Sequence, residues 1–215
     1  MITTKQKKRA LRFAKDVLEQ NYTEEQIHRM TSMMKKSYRE IQPHVPRFKS
    51  SFNKTLIKIS IDTLAFYKAI LTELNKDDSL KLIELFVNRW MDGQFDSWMA
   101  RKIYANRFLH RLYRRLWFAR TNKANDSEGQ KFEYIRPSGN LFYGVNVVKC
   151  GHVNFLKKMN ASELAPSMCK ADFYIQKYLP KGITFKRSQV IAEGASYCDF
   201  RYLIENKHLE TKKKI

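Results

Sequence analysis

Cysteine is scarce in this chain, and so is acid. Three cysteines in 215 residues, an odd number, are too few for a disulfide framework and point to free thiols in a reducing compartment. No run of about 18 apolar residues occurs, which excludes a hydropathic membrane-spanning helix. The opening "MITTKQKKRALRFAKDV" lacks the continuous apolar stretch of a secretory signal, so a soluble, cytoplasmic protein without a membrane partner is expected. Internal repeats are absent as well. The shortage of acid, 21 Asp and Glu against 41 Lys and Arg, leaves a formal charge of +20. It is also uneven: residues 1–15 carry six basic groups and residues 101–120 carry seven, with no acid in either stretch. Such a field attracts anions of any size, from a carboxylate metabolite to a nucleic-acid backbone. Against these absences stands a hydrophobic content of 43% with 13% aromatics, enough for a substantial core and against disorder outside the ends.

Residues 1–120 read as helices. In "YTEEQIHRM" Thr23 and Gln26 have capping-box spacing, and Tyr22 and Ile27 flank them as a hydrophobic staple. That helix should run to about Ile41, where Pro43 and Pro46 stop it. Further helices are expected over roughly 3–20, 54–75, 79–91 and 96–119, with caps at Asp77, Asp78 and Ser79 and a break at "MDGQFD". The polar "TNKANDSEGQ" (121–130) reads as a connector. Beyond it the period alternates: "KFEYIRP" and "LFYGVNVVKC" form one strand pair across "SGN", and "ITFKRSQVIAE" and "YCDFRYLIE" a second around Gly194. Between the pairs, "NASELAPSMCKADFYIQKYLP" is helical. The expected fold class is α+β: a helical N-terminal layer (1–120), then a small antiparallel sheet with one or two packed helices (131–205), the two sharing one unit. The terminal "KHLETKKKI" reads as a frayed tail.

All three thiols fall in the mixed part. Cys150 ends a strand, Cys169 lies early in a helix, and Cys198 opens a strand after a turn. Cys169 and Asp172, three apart, share a helical face. Together they suit a nucleophile with a proton carrier, or two ligands of one metal; the bland alternative is a buried thiol beside a solvated acid. In "YCDFRY" the alternation puts Cys198, Phe200 and Tyr202 on one side and Asp199 and Arg201 on the other, as an ion pair or a cleft wall. Glu193 precedes Gly194, a position suited to positive φ and close backbone approach. The cysteine separations match no Cys-x-x-Cys knuckle and His152 would have to supply a nearby fourth ligand, so no metal and no cofactor are expected. In the basic helix, Arg107, Arg111 and Arg114 or Arg115 form a stripe interleaved with Tyr104, Phe108, Tyr113, Trp117 and Phe118. Three readings stay open: a nucleic-acid face, arginine stems snorkelling over buried aromatics, or one guanidinium turned inward to grip a carboxylate.

In order along the chain, Cys150, then "CKAD" (Cys169 to Asp172), then Glu193–Gly194, then "CDFRY" from Cys198 resemble the pattern of the L-2-amino-thiazoline-4-carboxylic acid hydrolase family. The resemblance spans about residues 140–203. It departs from the family at "GHVNFL", where the pattern has proline and often a further polar or thiol group, and where this chain has His152. The Gly-x-x-x-Cys-Asp-Phe ending is also similar to that of small-molecule-binding domains of the vinyl-reductase type, which keeps a non-catalytic sensor as an alternative. The family resemblance implies hydrolysis of a carbon–nitrogen bond in a small cyclic amidine, the named member opening a thiazoline ring to a carbamoyl derivative of cysteine. On that reading Cys169 attacks if its pKa is lowered, and Asp172 or Glu193 moves protons. Cys150 and Cys198 complete the catalytic set, while Arg201, Asp199, His152 and Arg111 hold a small anionic substrate.

Overall fold

The computed structural model describes residues 2–205; the expected frayed tail lies outside them. Eight α-helices and a four-stranded antiparallel sheet form an α+β fold, as the pattern predicts. Helix α1 (Thr4–Leu18) starts where the Thr3 hydroxyl accepts from the Gln6 amide, and its Ala10, Phe13, Ala14, Val17 and Leu18 turn one stripe inward. Helix α2 (Glu24–Ile41) opens on the expected capping box of Thr23 and Gln26 and stops before Pro43. Ser50 caps α3 (Ser51–Ile70), which starts earlier than the expected 54, and Asn75 caps α4 (Lys76–Asp92) in place of the expected Asp77, Asp78 or Ser79, each accepting a backbone N–H. Helix α3 is buried along most of its length, so its side chains must satisfy themselves locally. Asp62 does so by accepting from Gln6 Nε2 at 2.8 Å, Tyr38 Oη at 2.9 Å and Trp90 Nε1 at 3.1 Å.

The single helix expected over 96–119 is two, α5 (Trp98–Ala105) and α6 (Arg107–Ala124). Asn106 separates them with an extended backbone, its side-chain oxygen accepting from the Leu109 amide 3.0 Å away. Helix α6 runs on into the expected connector and ends at Asn125, which takes the left-handed conformation at φ 48°.

The sheet has the order β1 (Lys131–Ile135), β2 (Leu141–Lys149), β4 (Cys198–Ile204), β3 (Ile183–Lys186). Its register sets Val147 opposite Cys198, Val145 opposite Phe200 and Tyr143 opposite Tyr202, so one face carries an apolar row and a thiol. The strand expected over 183–193 ends at Lys186; a loop and a 3₁₀ turn (Ile191–Glu193) follow. Gly194, at φ 96°, reverses the chain into β4, the conformation its position requires. Two further helices cross beside the sheet: α7 (Gly151–Lys158), absent from the sequence expectation, and α8 (Leu164–Tyr174).

Two hydrophobic clusters result. One joins α1–α4 with α7 and α8; the other fills the inner face of the sheet against Phe52 of α3 and Phe118 of α6. Fasteners cross the boundary between the helical and mixed parts: the Asp92 carboxylate at the end of α4 accepts from Tyr174 at 2.8 Å and pairs with Lys177 at 2.7 Å, and His110 Nε2 lies 2.7 Å from Tyr143 Oη. Among the described residues no helix is long and apolar enough to cross a membrane.

Candidate functional site

A cavity of about 300 Å³ opens where the two clusters meet. Cys150, Cys169, Asp172, Cys198 and His152 all line it, from α7, α8, β4 and the junction between β2 and α7. Cys150 is the residue that turns β2 into α7, Cys198 is the first of β4, and Cys169 with Asp172 sits in the middle of α8 rather than at its start. Each is fixed by a local device. Loop residue Asp126 accepts from the Lys49 and Ser50 amides at 2.8 and 3.1 Å and from Asn53 Nδ2 at 2.9 Å; Asn53 in turn accepts from the Gln130 amide at 3.0 Å. This clamp needs glycine at 129, where a Cβ would stand 2.2 Å from Asn53 Nδ2. It aims Gln130 at the cavity, with Nε2 3.8 Å from the Cys150 sulfur. The Cys198 sulfur accepts from the Ile191 amide at 3.3 Å, and of the "AEGASYCDF" stretch (192–200) Cys198 and Phe200 line the cavity while the turn itself does not.

Asp172 is held by a residue that the sequence did not single out. Arg187, in the loop after β3, donates from Nη1 to Asp172 Oδ2 at 2.5 Å and to the Cys169 carbonyl at 2.8 Å. The arginine side chain is only 8% exposed, whereas a third of the Asp172 side-chain surface stays accessible and that residue lines the cavity. Burial pushes the Asp172 carboxyl up to about 6, against the opposing pull of Arg187 and of Arg114. A carboxylate tuned there is ionised at neutral pH yet basic enough to accept a proton.

The thiols are not activated at rest. Burial raises all three, Cys198 to about 11 and Cys169 further, where Asp172 adds repulsion and Arg187 only partly compensates. The condition set for Cys169, a lowered pKa, is therefore not met at rest: its mid-helix position denies it a helix N-terminus, and desolvation outweighs the Arg187 charge. Asp172, Cys150, Arg187 and Cys198 all act electrostatically on the Cys169 thiol. Among the described residues, however, no three His, Cys, Asp or Glu side chains are grouped so as to hold a metal ion.

His152 lines the cavity with its Nδ1 2.6 Å from the buried Ser60 hydroxyl, and burial lowers its pKa to about 4. It is a neutral imidazole at pH 7.

Four expected site residues lie elsewhere. Glu193 is exposed on its turn and does not line the cavity. Asp199 points to the outer face of β4, where it accepts from the Ser188 and Gln189 amides at 2.9 and 2.8 Å and from the Ser188 hydroxyl; it holds a turn. Arg201, on the same outer face, donates to Asn146 Oδ1 at 2.9 Å and makes no ion pair with Asp199 among the described residues. Arg111 lies over the Phe142 ring at 5.6 Å. The period-2 alternation that puts Cys198 inside forces Asp199 and Arg201 outside, and Arg111 is on the wrong side of α6.

Arg114 occupies the place expected of Arg111. It lines the cavity and stacks over Phe118 at 4.8 Å. Among the described residues it has no carboxylate partner, and its buried Nε has no acceptor. The rest of the stripe disperses: Arg107 donates to the Lys181 carbonyl at 2.8 Å on the surface, while Tyr113 and Trp117 face the cavity and Phe108 is exposed.

No curated protein and no solved structure gives a match to the chain. The family comparison does, and it takes in Cys150, His152, Cys169, Asp172, Arg187 and Cys198. A model of the family described as L-2-amino-thiazoline-4-carboxylic acid hydrolase matches residues 55–202, well over half of the length, and by that match the chain belongs to this family.

Proposed function

We propose that the chain is a hydrolase that opens the carbon–nitrogen bond of a small anionic cyclic amidine of the 2-amino-thiazoline carboxylate type. The observation that carries this reading is the meeting of Cys169, Asp172, Cys198, Cys150 and His152 on one cavity. The substrate carboxylate lies against the Arg114 guanidinium, which lines the cavity and has no salt-bridge partner among the described residues, so an anion is favoured there. Two guanidiniums, Arg114 and Arg187, against one carboxylate leave the site net positive before substrate enters.

The reacting sp² carbon faces α8. Arg187 occupies Oδ2 of Asp172, so Oδ1 is the oxygen available for proton transfer. As the Cys169 sulfur bonds to the carbon, its proton passes to Asp172, which delivers it to the ring nitrogen. The carbon–nitrogen bond then breaks as that nitrogen takes up a second proton and leaves as an amine. Water, deprotonated by Asp172, adds to the enzyme-bound carbon and expels the Cys169 thiol. A carbamoyl product forms and the second proton returns to solvent. The buried thiol fits a concerted transfer rather than a standing thiolate. His152 and Gln130, which line the cavity, hydrogen-bond the amidine nitrogens.

Ring opening of 2-amino-thiazoline-4-carboxylate, followed by product mass, tests the reading. Cys169→Ser should lower kcat/KM by at least about 10²-fold. Wild-type turnover in that variant would remove thiol attack, and binding without turnover in the wild type would leave a ligand-binding module.

A further inference from the structure

A bare amino-thiazoline carboxylate is one small ring with two polar substituents. The cavity of about 300 Å³ is instead at the lower end of the range that encloses drug-sized ligands, roughly 300–1,000 Å³. At about 30 Å³ per water molecule it has space for on the order of ten waters, far more than the small ring would displace.

The excess space has a defined character. Six lining residues form an unbroken aromatic chain: Phe95 to Tyr104 at 4.8 Å between ring centroids, Tyr104 to Tyr113 at 6.3 Å, Tyr113 to Trp117 at 4.9 Å, Trp117 to Phe52 at 4.5 Å, and Phe52 to Phe132 at 5.7 Å. They come from α3, α5, α6, β1 and the loop after α4, and none carries the thiol and carboxylate chemistry assigned above. The polar demand of the cavity is small by contrast. Three buried atoms of its lining have no partner among the described residues: Arg114 Nε and Gln94 Nε2, both donors, and Gln130 Oε1, an acceptor. Apart from Arg114, the two glutamines and the His152, Asp172 and thiol groups of the hydrolytic end, the large side chains of the chamber are apolar or aromatic, so polar groups of a ligand lying along them would be left unpaired.

Resting on the hydrolase reading, we propose that the substrate of this protein is an anionic cyclic amidine or amide carrying one apolar group of aromatic-ring size, which lies along the wall from Phe95 to Phe132. The carboxylate takes the Arg114 guanidinium, and the apolar group takes Tyr113, Trp117 and Phe52.

Two measurements separate this proposal from the reading beneath it. The first compares ring opening of 2-amino-thiazoline-4-carboxylate with that of its 5-benzyl derivative. The benzyl compound should have the higher kcat/KM by about 10- to 100-fold, the usual range for filling an apolar pocket. Trp117→Ala, and independently Ala100→Phe, which narrows the chamber, should each reduce that ratio toward one. The second is calorimetric titration with two inert acids, propanoate and 3-phenylpropanoate; the phenyl acid should bind at least about 10-fold tighter and lose that advantage in Ala100→Phe. If neither thiazoline is opened, the hydrolase reading fails while the calorimetric ratio still decides the apolar chamber. Equal turnover of the two thiazolines, or equal affinity for the two acids, overturns the proposal.

Discussion

Two interior carboxylates, one in the helical core and one on the cavity wall, are pushed by burial to the same place on the pH scale. Asp62 and Asp172 both rise to about 6. What surrounds them differs. Asp62 accepts three hydrogen bonds from Gln6, Tyr38 and Trp90, neutral donors from α1, α2 and α4, and has no path to a ligand. Asp172 has one oxygen on Arg187 and the other facing a cavity shared with three thiols. A raised carboxyl alone therefore does not mark a site in this protein; an unfilled oxygen on an open chamber does.

Substitution at the two aspartates sharpens this contrast most. Asp172→Asn keeps an acceptor for Arg187 but removes the base, so kcat/KM should fall by about 10³-fold with a stability loss of about 1.5–3 kcal/mol. Asp62→Ala should do the reverse, leaving three donors without an acceptor and costing about 3 kcal/mol in urea denaturation, with kcat/KM of the folded fraction unchanged. If Asp62→Ala abolished turnover while remaining folded, the distinction between the regions would collapse. Next in size, Arg114→Met should raise KM for a carboxylate substrate by about 10- to 100-fold, as loss of a charge-assisted contact predicts, and leave a neutral amide analogue nearly untouched; equal effects on both would remove Arg114 as the anchor. The smallest effect is the linkage of Asp62 to stability. Its folded value lies above its unfolded one, so its contribution is fully present below about pH 4 and is lost as pH rises through about 6. Wild type should lose stability relative to Asp62→Asn between those pH values, with a slope approaching about 1.4 kcal/mol for each pH unit crossed; parallel pH curves would contradict the burial argument.

Local signals carried much of this architecture. The Thr23–Gln26 box, the alternation in "YCDFRY" and the three-residue spacing of Cys169 and Asp172 were legible because each is decided within one turn or one strand. The break at Asn106 was not, since "IYANRFLHRLY" keeps helical spacing on both sides and the asparagine cap becomes visible only with the backbone bent. Helix α7 was missed because "GHVNFLKK" is short and follows a strand with no capping side chain. Site residues divide the same way. Arg187 pairs with Asp172 across a sheet-to-helix contact that no spacing encodes, and choosing Arg114 over Arg111 requires knowing how α6 is rotated. Glu193 was drawn in by its neighbours in sequence, while the turn that places Cys198 inside leaves that glutamate in solvent.

The assignment of Asp172 as the proton carrier is reached most directly by the pH dependence of ring opening in wild type and in Asp172→Asn. An ionised base that titrates at about 6 predicts kcat/KM rising about tenfold per pH unit below that value and level above it, with the limb absent from the residual activity of the variant. A limb that persists unchanged in Asp172→Asn, or a wild-type profile flat from about pH 4 to 8, would contradict it.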